Sequence, residues 1–212
     1  MSVEDEKRLA AEAAALLVED GMLVGLGTGS TVALFLPALA RRGLRLRCVA
    51  TSLQTENAAR ELGLAVEPFD ELERLDIAVD GADQIAPDGW VVKGGGAAHT
   101  REKVVAAAAD RFVVIASSDK LVEAIGAPIP LEILVYGARA TLTLCAPAEL
   151  RDVAPSPDGG LIADHLGPVD DPRAVAARLS AVPGVVEHGL FAPELVSEVI
   201  VGRDGAVERL GG

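Results

Sequence analysis

Short runs of apolar residues alternate along the first 120 residues with longer stretches in which apolar positions recur at helical spacing. Residues 4 to about 19 read as a helix with Leu9, Ala13, Leu16 and Leu17 on one face, stopped by Gly21. MLVGL (22–26) is a buried strand. GTGST then turns into a helix over about 30–42 that carries Val32, Leu34, Phe35 and Leu39, with Pro37 inside it as a point of kinking. LRCVAT (46–51) is the next strand and Gln54 to Leu62 the next helix. AVEPF (65–69) is a short strand or extended segment, and LDIAVDGA (75–82) is a strand ending in a turn. Trp90 to Lys93 is short and β-like, 97–110 is helical, and FVVIAS (112–117) is a strand. Strands alternating with helices imply βαβ units and a mostly parallel sheet.

The pattern changes at APIPLE (127–132), where two close prolines read as a linker. Beyond it the reading is strand 131–135, helix 138–146, strand 149–153, strand 160–165, helix 172–181 and strand 184–190. That βαββαβ order is the ferredoxin-like split. ATLTLCA (140–146) is in conflict: its propensity favours a strand, whereas the order of elements requires a helix. The closing LVSEVIVGRDGAVERL is a strand and turn returning to the first sheet. The expected fold is therefore α/β. A Rossmann-like, mostly parallel sheet domain (1–127 plus 196–212) carries a smaller ferredoxin-like α+β domain (128–195).

Half of the 212 residues are hydrophobic, enough to bury a full core, and only 3% are aromatic. Single-stranded nucleic acid would find no stacking platform. The net charge of −13 repels nucleic acid and anionic membranes alike. The densest basic run, Arg41, Arg42, Arg45 and Arg47, reads as a helix end plus a loop. No apolar run reaches membrane-spanning length, and the acidic N-terminus lacks the basic region of a signal peptide. Cys48 and Cys145, far apart and without metal-ligand spacing, fit buried, reduced thiols of a cytoplasmic protein. There are four lysines, Lys7, Lys93, Lys103 and Lys120, against fifteen arginines. Each lysine therefore draws attention as a possible chemical requirement.

GLGTGST (25–31) follows a strand and opens a helix, so its backbone N–H groups and the helix dipole favour an anion such as a phosphate. Ser30 and Thr31 add hydroxyls. The dinucleotide fingerprint fails, because Ser30 or Val32 stands where the third glycine is needed and Thr51-Ser52 replaces the ribose-binding acid. The Walker pattern fails for want of a lysine. A tight turn packing strand to helix is the plainer alternative. VDGADQI (79–85) places Asp80 and Asp83 just after a buried strand, on the edge where open α/β sheets bind ligands. An Asx turn is the plainer reading there. Lys93 precedes Gly94, Gly95 and Gly96, and such a run suits a backbone that must approach a ligand closely. Glu102 lies in the first turns of the following helix, where a carboxylate is favoured in any case. Taken together, two acids, a lysine and a glutamate beside a phosphate loop point to acid–base chemistry on a small phosphorylated molecule. His99 reads as a surface or capping residue. No histidine pair has metal-ligand spacing, and neither metal nor cofactor is expected.

GLGTGST, VDGADQI, KGGGAAHTREK, SSDK and the later PGVVEHGLF resemble, in order and spacing, the type A ribose-5-phosphate isomerases. The resemblance covers essentially the whole chain. It implies cofactor-free interconversion of ribose 5-phosphate and ribulose 5-phosphate through a cis-enediolate by a homodimer or homotetramer. It also implies roles for individual residues. Glu102 is the proton-shuttling base and Lys93 stabilises the oxyanion. Asp80 opens the ring, and Asp83 holds sugar hydroxyls. Thr28, Gly29, Ser30, Thr31, Gly81, Ala82 and Gly94 to Gly96 line the site, Lys120 approaches the substrate or its phosphate, and Lys7 adds another positive charge. Gln84 stands where the family usually has glutamate, His99 where an apolar residue is usual, SPDGG replaces an Asn-rich turn, and 140–160 is short. A sugar-phosphate sensor lacks any need for a base. A transferase or deaminase would require a nucleophilic glutamate or histidine motif not evident here.

Overall fold

The structure, a computed structural model, describes residues 2–211. In chain order its elements are α1 (Val3–Ala15), β1 (Leu23–Leu26), α2 (Ser30–Ala40), β2 (Arg47–Ala50), α3 (Leu53–Glu61), β3 (Ile77–Asp80), β4 (Gln84–Ile85), β5 (Val91–Val92), α4 (His99–Ala108) and β6 (Phe112–Ser117). The chain continues through β7 (Ile129–Ile133), α5 (Ala138–Leu144), β8 (Ala148–Leu150), β9 (Leu161–His165), α6 (Pro172–Ser180), β10 (Val185–His188), β11 (Leu190–Phe191), β12 (Glu198–Arg203) and β13 (Ala206–Gly211). Two compact units result. One holds the described residues up to Ala82, Arg101–Leu121 and those from Glu194; the other holds Asp83–Thr100 and Val122–Pro193. The segment 83–100, read from sequence as part of the sheet domain, groups with the second unit, because β4 and β5 pair with β11.

The first unit is built on a six-stranded sheet ordered β13-β12-β6-β3-β1-β2, parallel except for the β12–β13 hairpin. β3 and β6 are buried at every residue, which is why they read as unbroken apolar runs rather than alternating ones. Asp204 and Gly205, both at positive φ, make the two-residue turn that joins β12 to β13. The returning C-terminal strand thus pairs as expected.

The reading of the first helix changes. α1 ends at Ala15, and its buried residues are Glu6, Ala10, Ala11, Ala14 and Ala15; Leu16 is 71% exposed. Alanine wins because the helix lies so close to β12 that a side chain at Gly202 would overlap the backbone of Glu6. α2 runs on through Pro37 to Ala40. AVEPF contributes one bridge, Cys48 to Val66, rather than a strand.

The second unit carries an antiparallel sheet ordered β10-β7-β9-β8. With α5 and α6 this is the ferredoxin-like βαββαβ arrangement. The order of elements overrides the strand propensity of 140–146, which is helical to Leu144. β7 starts at Ile129, inside the prolines read as a linker, and is buried throughout. Residues 184–190 are not one strand. The chain breaks at Gly189, whose N–H donates to the Pro130 carbonyl and whose own carbonyl accepts from the Lys93 N–H. A side chain there would meet Pro130 and the Lys93 carbonyl. The glycine lets the strand leave β7 and continue as β11 in a small sheet with β5 and β4. That small sheet was not legible in the sequence.

Candidate active site

In the first unit the polar candidates gather at the carboxyl ends of parallel strands. β1 runs into Gly27, Thr28 and Gly29, and α2 opens at Ser30 without a side-chain cap. β3 ends in Asp80, which is 2% exposed. Its Oδ1 accepts from the Thr28 N–H at 3.1 Å and from the Gly81 N–H at 2.7 Å. A carboxylate is thereby fixed inside the loop that was read as an anion cradle. The glycines of that loop have separate uses. A Cβ at Gly27 would land on the Asp80 carboxyl group, and one at Gly25 would lie 2.5 Å from Val105 Cγ1. Gly27 makes room for Asp80, whereas Gly25 lets α4 pack onto β1.

Thr28 is held from its other side by residues that sequence reasoning passed over. Its hydroxyl lies 2.8 Å from Thr51 Oγ1 and donates to Ser52 Oγ at 2.9 Å, while Thr55 Oγ1 donates to the Gly27 carbonyl at 2.8 Å. Thr51-Ser52 had counted only as the absence of a ribose-binding acid. The signal was available: three hydroxyl residues cluster where β2 turns into α3.

Lys7 reaches the start of α2, donating to Ser30 Oγ at 3.0 Å, and Thr31 is buried beside it in the helix. Next to Lys7, Glu6 accepts from the Ser118 N–H at 2.9 Å and hydroxyl at 2.7 Å. These bonds hold the Glu6 carboxyl below the usual carboxylate range and tie α1 to the turn that carries Lys120. Lys120 faces Asp119 at 3.5 Å. Glu102 is 3% exposed in the first turn of α4, on the helix face shared with Val105 and Ala106.

In the second unit Lys93 is 2% exposed and its Nζ lies 5.6 Å from the centroid of the Phe191 ring, a cation–π contact. Asp83 accepts from the Gly95 N–H at 2.7 Å, and Gly94 sits at φ +116°. His99 is fully buried, with Nε2 3.3 Å from the Glu187 carbonyl, so the surface role does not hold. Gln84 exchanges two hydrogen bonds with the Gly126 backbone, at 2.8 and 2.9 Å, and serves the architecture of this unit.

The remaining features are plain. Arg42 caps the Ala15 and Val18 carbonyls, Arg45 pairs with Asp20, and Arg47 pairs with Glu67. Both cysteines are buried and free. Among the described residues no three His, Cys, Asp or Glu side chains are grouped to hold a metal, and no helix is long and apolar enough to cross a membrane.

These units define an α/β protein that buries the side chains of Asp80, Lys93 and Glu102. Residues 47–205 match the family model for ribose 5-phosphate isomerase A (phosphoriboisomerase A). Ribose-5-phosphate isomerase A from Caulobacter vibrioides is 47% identical over 226 residues, covering 99% of each chain. The solved structure of ribose 5-phosphate isomerase A from Methanocaldococcus jannaschii superposes with a TM-score of 0.93 at 34% identity and full coverage of both chains. A D-ribose-5-phosphate isomerase structure in complex with phospho-erythronic acid has the same TM-score, 0.93, at 35% identity, also with full coverage of both. The chain belongs to the ribose 5-phosphate isomerase A family, and it is an isomerase.

Proposed function

We propose that the chain interconverts D-ribose 5-phosphate and D-ribulose 5-phosphate through a cis-enediolate, and that its own side chains do so without metal or organic cofactor. The observation that carries this reading is the buried Asp80 carboxylate, held by backbone amides within the glycine loop after β1. It occurs in a chain 47% identical over its length to a named isomerase.

The chemistry assigns each residue a task. Asp80 transfers protons among sugar oxygens as the furanose opens to the aldehyde. Glu102 takes the proton from C2, the C–H electron pair forms the C1–C2 double bond, and the carbonyl electrons move onto O1. Lys93 stabilises that developing oxyanion. Returning the proton from Glu102 to C1, and moving the O2 proton to O1, yields the ketose. Asp83 holds sugar hydroxyls. Thr28, Gly29, Ser30, Thr31, Gly81, Ala82, Gly94, Gly95 and Gly96 line the substrate, with Lys7 and Lys120 giving a phosphate dianion local attraction in a chain of net charge −13. Phospho-erythronic acid, the compound in the related complex, supports the enediolate. Its planar carboxylate imitates the oxygen-bearing end of that intermediate. A homodimer or homotetramer in the cytoplasm, with no nucleic-acid or membrane partner, completes the reading.

The test is ketopentose formation from ribose 5-phosphate by the purified chain after exhaustive chelation. Turnover is expected. Binding without turnover would favour a sensor, and the absence of both would remove ribose 5-phosphate as substrate.

A further inference from the structure

The Gly94–Gly95 peptide group is gripped at both ends. Its carbonyl oxygen accepts from Arg151 Nη1 at 2.8 Å, and its N–H donates to Asp83 Oδ2 at 2.7 Å. Arg151 is itself locked by Asp164, with Nε–Oδ2 and Nη2–Oδ1 distances both 2.6 Å, a bidentate fork on a largely buried pair. Arg151 follows edge strand β8 and Asp164 lies on β9, so a rigid ladder fixes both. The loop is shaped to fit. Gly94 takes φ +116°, and a Cβ at Gly95 would lie 2.7 Å from Asp83 Oδ1. Gly95 therefore serves the approach of a carboxylate to the backbone.

We propose that Arg151 is a positioning residue for the isomerisation: through the clamped Gly94–Gly95 peptide it orients Asp83, the carboxylate assigned to the sugar hydroxyls. A guanidinium on the carbonyl polarises the peptide and strengthens its N–H as a donor to Asp83. The Asp83 oxygen that faces Gly95 is thereby held in place, leaving the other for substrate. None of the sequence motifs contains Arg151 or Asp164. The assignment rests on the isomerase reading for its function, although the clamp itself does not.

The experiment is a double-mutant cycle on ribose 5-phosphate turnover with Arg151→Met and Asp83→Ala, which removes the acceptor of the Gly95 N–H, with Arg151→Lys as the conservative variant. Near-ultraviolet circular dichroism reports folding for each. Arg151→Met is expected to lower kcat/KM roughly tenfold, mainly through KM, with Arg151→Lys recovering part of the loss. In the Asp83→Ala background the same change should cost less than about threefold, because the side chain of Asp83 is what Arg151 acts upon. Full additivity in folded variants overturns the positioning role. If Arg151→Met does not fold, the cycle is run with Arg151→Lys and the same criterion applies. Absence of turnover in the unaltered chain strikes the isomerase reading itself, whereas turnover with additive losses strikes only the clamp.

Discussion

A side chain on the α-carbon of Gly27 would overlap the carboxyl group of Asp80. Asp80 ends β3 and Gly27 follows β1, so the adjacency is created by parallel pairing of those two strands. A glycine of the loop thereby becomes a condition for a buried acid.

Gly27→Ala should displace that carboxylate or the loop. Overpacking of this kind costs about 1–3 kcal/mol of stability, and a misplaced catalytic group costs on the order of a hundredfold in rate. The expected result is a lowered melting temperature with kcat/KM reduced on that scale. Unchanged kinetics would mean that Asp80 is not needed where it sits.

Glu102→Gln keeps the size and buried position of the side chain and removes the carboxylate proposed as the base. Turnover should fall by roughly 10²–10⁴-fold, the range of general-base catalysis, while calorimetry still detects ribose 5-phosphate binding. Loss of binding together with loss of the folded circular-dichroism signature would make Glu102 structural instead.

Glu6 provides a pH-dependent term. Hydrogen bonds from the Ser118 hydroxyl and N–H hold its carboxyl below the ordinary value of 4.5, outweighing its partial burial and the nearby Asp119 charge. The folded state then binds its proton less readily than the unfolded chain. The stabilisation is complete above about 4.5 and disappears as pH falls through the lowered value. Ser118→Ala should weaken the fold at pH 7 and flatten this acid-side decline. Urea midpoints measured from pH 7 to pH 3 on both proteins test it. Parallel curves would assign the decline to other carboxylates.

Cys48 gives a chemical readout. Burial, with a smaller contribution from the Glu67 charge, pushes its thiol up to about 12. At pH 8 the folded chain should present no thiolate at this position, so an aromatic disulfide reagent should label Cys48 only as fast as the protein unfolds. In urea the labelling should become rapid. The unfolded thiol ionises near its ordinary 9.0, so this residue favours the folded state below that pH and loses its contribution as pH climbs towards 12.

Much of the architecture was legible because it is encoded over short distances. Apolar runs gave β1, β3 and β6, helical spacing gave α2 and α4, and the order of elements decided α5 against its own propensity. The misreadings have a common origin. In α1 the leucine stripe looked like the buried face, but the helix buries mainly alanines and approaches β12 closely enough that Gly202 faces the backbone of Glu6. At Gly189 the sequence still reads as one strand while the chain changes sheets. His99 looks like a surface residue until the segment around Glu187 closes over it.

By itself the sequence determined the α/β class, the βαββαβ order of the second unit and the candidate residues proposed to bear chemistry. Helical and extended periodicity, turn residues and motifs depend on neighbours only a few positions apart. The tertiary structure alone decided what the glycines are for and which residues hold the acids in place. Thr28 meets Asp80 across 52 positions and Arg151 meets Gly94 across 57. Such contacts exist only after strands have paired, and no local pattern encodes which backbone a carboxylate or guanidinium will then face.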